Sequence, residues 1–70
     1  VLSFPGVAAE RAERLRALAD VGWAVTIERA IDEGLEVCVI EGRGRYVTGR
    51  GATPDEAAAD ALAQLEDPGA

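Results

Sequence analysis

The stretch WAVTIERAIDEGLEVCVIEGRGRYVTGRGATPDEA, residues 23–57, decides the fold. Trp23, Val25 and Ile27 alternate with Ala24, Thr26 and Glu28, the period of two that marks a half-buried strand. The first strand therefore reads as Trp23 to Ile31. Asp32-Glu33-Gly34 follows as a compact hairpin turn, because Gly34 is free to take a positive φ. Leu35 to Glu41 reads as the second strand, with Leu35, Val37 and Val39 on one face and Glu36, Cys38 and Ile40 on the other. Gly42-Arg43-Gly44 supplies the next turn, and Arg45 to Arg50 a shorter third strand. Strands joined by turns this short pair antiparallel, since a parallel pair needs a long crossover.

Downstream of the strands, Thr53-Pro54-Asp55-Glu56 starts a helix. Threonine caps it, proline takes the first helical position, and Glu56 is placed to reach back to the threonine amide. The apolar stripe of this helix is Ala58, Ala61, Leu62 and Leu65, mostly small, so the helix can lie close to the sheet. Pro68-Gly69, which lie outside the residues the structure describes, are expected to end the domain. Upstream, Pro5 precedes a helix that begins at Val7 and stops at Gly22, with Ala8, Ala12, Leu15 and Ala19 on one stripe and Val7 and Leu18 beside it. The expected fold is α+β of αβββα type: a three-stranded antiparallel sheet with two helices packed on one face. Residues 1–70 form a single small domain.

Seventy residues bury a modest core, and little staples it. One cysteine, Cys38, forms no disulfide within the chain. No histidine is present, so a zinc ion would meet one thiol and carboxylates alone, a poor ligand set. No metal or cofactor is expected. Small domains of this kind lean on a partner or on a second copy of themselves, so oligomerisation is expected. All seven basic residues are arginine, and lysine and asparagine are absent, the usage of a GC-rich bacterial genome. No apolar run is long enough for a bilayer span and no signal peptide is visible, so a cytoplasmic location is expected.

The net charge of −6 is uneven. Residues 35–53 carry three arginines against two acids, whereas residues 54–70 carry five acids and no base. The overall balance disfavours non-specific nucleic-acid binding and favours a basic partner. Catalysis is not expected. Ser3 lies near the chain end, Cys38 sits between two valines with no histidine to activate it, and the carboxylates occupy helix faces and turns.

Three features bear on binding. Residues 42–51 hold Arg43, Arg45 and Arg50 with Tyr46 and four glycines. Forked guanidinium groups and a stacking ring suit nucleic acid or an acidic protein surface. The same residues also suit two tight turns on an edge strand whose arginines discourage edge pairing. The start of the last helix already carries Asp55 and Glu56, which would repel an anion, and is read as structural. The outward sheet face is expected to show Thr26, Glu28, Glu36, Cys38, Ile40 and Thr48. Cys38 and Ile40 are apolar for a bare surface; the alternatives are a dimer or partner surface and an ordinary scatter of exposed apolar atoms.

The order of elements resembles the double-stranded-RNA-binding-domain fold, with Gly49 to Ala57 where that family turns into its last helix. Family members grip phosphates there with lysines; this chain has Pro54, Asp55 and Glu56, which argues against ordinary duplex-RNA binding. A second resemblance is to HicB-type antitoxins, carried by GATPDEAAADAL and by GWAVTIE followed by LEVCVIE. It implies a domain that binds and blocks a small basic ribonuclease toxin. The N-terminal helix is extra to that family, and no separate DNA-binding segment is present in these residues. The combined expectation is a non-catalytic module that binds a protein partner, basic and antitoxin-like, or self-associates, through an acidic surface that includes the last helix. The alternative is nucleic-acid binding through the hairpin 42–51, with Arg43, Arg45, Tyr46 and Arg50 as contacts.

Overall fold

In a computed structural model that describes residues 3–66, two short turns set the sheet. The strands are β1 (Ala24–Ala30), β2 (Leu35–Gly42) and β3 (Arg45–Gly51), in spatial order β1-β2-β3, both pairs antiparallel. Between β2 and β3 the turn is Arg43-Gly44, closed by the pair Gly42–Arg45. Both turn residues have positive φ, 51° and 77°, the backbone that matches the twist of a two-residue hairpin. Gly44 adopts it freely, and Arg43 adopts it because the ladder on either side demands it.

The β1–β2 loop has four residues, Ile31 to Gly34. The Glu33 and Gly34 amides both donate to the Ala30 carbonyl, at 3.1 and 2.9 Å. Ala30 therefore pairs with Leu35, Ile27 with Cys38 and Val25 with Ile40. This reverses the expected facing of β2. A three-residue turn would have paired Ile31 with Leu35 and put the odd-numbered residues of both strands together. Ile31 instead joins the loop, 86% exposed, and a shift of one residue turns every side chain of the partner strand over. Cys38 and Ile40, expected on the outward face, are fully buried beneath the helices. Glu36, expected beside them, is also buried, held by the Arg29 guanidinium at 2.8 Å.

The helices α1 (Ala9–Asp20) and α2 (Pro54–Glu66) pack against the sheet. The core is Leu15 of α1, Cys38, Ile40 and Val47 of the sheet, and Ala57, Ala58, Ala61 and Leu62 of α2, with Phe4, Val7, Leu18, Trp23, Val25, Ile27 and Leu65 around it. Small residues let α2 sit close. A Cβ at Gly49 would fall far inside van der Waals contact with the Ala57 carbonyl and the Ala61 amide. At the other end of the sheet the Trp23 ring lies across Gly42.

The helix ends are built as the sequence implies, with one difference. The Glu56 amide donates to Thr53 Oγ1 at 3.2 Å, and the Glu56 carboxylate accepts from the Ala52 amide, one residue further back than the threonine amide. At the end of α1, Gly22 takes φ 100°, its amide donates to Ala19 O, and the Trp23 amide donates to Leu18 O. This is a Schellman stop, which turns the chain directly into β1. The two helices are joined through Asp55, whose carboxylate accepts from the Ala8 amide at 3.0 Å and from Arg11 Nη1 at 2.9 Å. No helix among the described residues is long and apolar enough to cross a membrane.

Candidate interaction surface

The helices cover one face of the sheet and leave the other open. The pairing register arranges the open face in rows across the strands: Ala24–Glu41–Tyr46, Thr26–Val39–Thr48 and Glu28–Val37–Arg50, with Ala30 beside Leu35 at the end. Leu35, Val37 and Val39 thus form an apolar stripe along the central strand, half-buried only by their neighbours. Threonines flank it in one row. In the next, an acid and a base stand on opposite sides of Val37. Tyr46, 63% exposed, closes one end. An apolar centre inside a polar rim is the anatomy of a protein-binding patch.

The candidate residues of the arginine hairpin part company. Tyr46 and Arg50 come together on the open face with Thr48 between them. Arg43 stands exposed at the turn. Arg45 faces the helix side and donates to the Leu65 carbonyl at 3.0 Å and to the Gln64 carbonyl at 3.5 Å. It supplies the cationic cap that the last turn of α2 otherwise lacks. Cys38 and Ile40 reach no surface, and burial pushes the Cys38 thiol up to about 11, so it stays protonated at neutral pH.

The acids of α2 have internal partners as well. Asp55 holds Ala8 and Arg11, Glu56 holds Ala52, Asp60 accepts the Arg50 amide at 3.0 Å, and Glu66 pairs with Arg14. The acids that remain for a partner on the open face are Glu28 and Glu41. No protein-family model, no curated protein and no solved structure matches the chain. The αβββα order is compatible with the double-stranded-RNA-binding-domain fold as a topology.

One surface cleft lies beside the sheet and another between the helices. One, about 440 Å³, runs beside β1 and is lined by Ser3, Phe4, Val25, Ile27, Glu28 and Glu36 among others. The other, about 410 Å³, lies between the helices over Leu18, Val21, Leu62 and Leu65. Sequence reasoning missed Leu35, Val37 and Val39 as surface residues. Both faces of β2 are apolar, so periodicity alone does not orient it; the length of the preceding loop was the signal that could have.

Proposed function

We propose that this domain is a non-catalytic interaction module that binds a protein partner across its open sheet face. The observation that carries this reading is the half-buried apolar stripe Leu35-Val37-Val39 on the open face, set between threonines and ended by the exposed Tyr46. Size sharpens it. Three strands spaced about 4.8 Å apart, each about seven residues long at about 3.3 Å per residue, present only ~300 Å². A stable interface takes about 800 Å² per partner. The stripe is therefore the centre of the contact, and the partner reaches past it to the Arg43 turn or the β1 edge.

The net charge of −6, with Glu28 and Glu41 on the open face, favours a basic partner. The likeness of GATPDEAAADAL to HicB-type antitoxins points the same way, toward a small basic ribonuclease as the thing bound. The acids of α2 support this reading less than the sheet does, because they already hold the fold together.

The test compares Val37→Asp and Val39→Asp with the original chain, in capture from the source cell's extract and then against the purified captured protein. Both substitutions sit on the solvent side of the sheet, so circular dichroism and the urea midpoint should change little. Loss of binding with the fold intact supports the open face. Retention of binding by both variants sinks it. An anisotropy titration of duplex RNA at low salt decides the alternative: binding abolished by Arg43→Ala with Arg50→Ala would move the function to nucleic acid.

A further inference from the structure

The two edges of the sheet are treated differently. At β3 the edge is closed by α2: Asp60 accepts the Arg50 amide at 3.0 Å, and the Gln64 side-chain amide donates to the Thr48 carbonyl at 2.8 Å. These bonds also orient the ladder. If Thr48 and Arg50 turn their main-chain groups away from β2, Val47 and Gly49 turn theirs toward it, to Ile40 and Cys38. Val37 and Val39 then bond the other way, to Glu28 and Thr26. The alternation leaves the amides and carbonyls of Val25, Ile27 and Arg29 pointing off the free edge of β1. Among the described residues none of them meets a side chain or a backbone group outside the sheet.

This edge also lacks the usual defences against pairing. It contains no proline, its pairing with β2 runs without a bulge, and its two charges are an adjacent acid and base. The cleft of about 440 Å³ that runs along Val25 to Glu28 is walled on its other sides by Ser3, Phe4, Pro5, Glu36 and Pro54.

We infer that two copies of this chain pair antiparallel through β1, joining their sheets into one of six strands. The occupant is argued from self-complementarity. The outward groups sit on odd-numbered residues, so a two-fold register must match odd with odd. The register that uses the whole strand, Ala24 to Ala30, has its axis beside Ile27. It sets Ile27 against Ile27 and Val25 against Arg29 on the helix side, and Thr26 against Glu28 and Ala24 against Ala30 on the open side. Every outward group is then paired, with about six hydrogen bonds across the seam. A shift that centres on Glu28 brings two carboxylates face to face. A shift that centres on Thr26 drops Arg29 and Ala30 from the strand overlap. Pairing also doubles the open face to ~600 Å², close to what a standard interface needs. The inference does not rest on the partner reading, which concerns the stripe on β2.

The decisive measurement is sedimentation equilibrium of the whole chain over a range of concentrations. The original chain should form a dimer. Thr26→Lys, which sets a lysine against Glu28 twice, should tighten it several-fold. Thr26→Glu sets carboxylates opposite each other twice and should weaken it on the order of tenfold. Glu28→Lys added to Thr26→Glu restores opposite charges and should restore the dimer. Thr26 and Glu28 are both exposed in one copy, so the variants fold, and the urea midpoint at low concentration checks this. A chain that stays monomeric to about 1 mM, a typical limit of useful affinity, overturns the inference. So does a dimer indifferent to Thr26→Glu. Equal weakening by Thr48→Glu, at the far side of the sheet, also overturns it, because the copies would then be meeting face to face. Failure of any of these leaves the Val37 and Val39 tests untouched.

Discussion

At the scale of single residues, close approach and exclusion from water decide most of what matters here. Gly49 has no side chain because the backbone of α2 occupies that space. Gly49→Ala must push α2 off the sheet, and main-chain atoms do not move aside as a side-chain tip would. The expected cost is about 3 kcal/mol, at the upper end for overpacking. Urea unfolding should show it as a large fall in midpoint, and for a domain this small a substantial unfolded fraction in water. Cys38 gives the complementary case. It is fully buried and its thiol is held protonated, so a thiol-reactive disulfide reagent should label the native protein slowly and the urea-unfolded protein within the mixing time. Fast labelling of the native chain would mean that β2 faces the other way.

At the scale of elements, the Asp55 carboxylate ties the start of α2 to the start of α1, and Glu66 pairs with Arg14 further along. The hydrogen bond from the Ala8 amide, assisted by the Arg11 guanidinium and opposed by partial desolvation, holds the Asp55 carboxyl below its ordinary value. The folded state therefore prefers the ionised form. Its stabilising effect is fully present above the ordinary carboxylate range of about 4, and it is lost as pH falls through the depressed value in the fold. Asp55→Asn should lower the urea midpoint at pH 7, and the gap from the original chain should close as the solution is acidified to about pH 2. A gap that persists unchanged at low pH would mean that the residue acts through packing and not through its charge. The remainder of the helix start, Thr53 with Glu56, is local and was legible from four consecutive residues.

At the scale of the whole molecule, the core is shared unequally. α2 contributes four buried residues, Ala57, Ala58, Ala61 and Leu62, whereas α1 contributes Ala12 and Leu15. The first helix is attached largely by Leu15, the Asp55 contacts and the Arg14–Glu66 ion pair. Exposed ion pairs add little to stability. Opening of α1 alone should therefore be easier than global unfolding. Native-state hydrogen exchange should find the α1 amides exchanging ahead of those of β2 and α2. Uniform protection across both helices would show that α1 is integral to a single cooperative unit.

The order and type of all five elements followed from the sequence by itself. Each depends on local chemistry: period-two alternation in 24–30, Gly34 and Gly44 at the turns, the Thr53-Pro54 start and the Gly22 stop. The antiparallel pairing followed too, because the turns are too short for anything else. What only the tertiary structure decided was which way β2 faces. Leu35, Val37 and Val39 are as apolar as Cys38 and Ile40, so composition is silent between them. The choice came from one residue, Ile31, leaving the strand for the loop and changing the parity of every pair beyond it. The fates of the arginines and of the α2 acids were equally non-local. Arg45 finds carbonyls about twenty positions away at the end of α2, and Asp55 finds an amide far upstream at Ala8. Spacing along the chain records no such meeting; it exists only once the helices have docked.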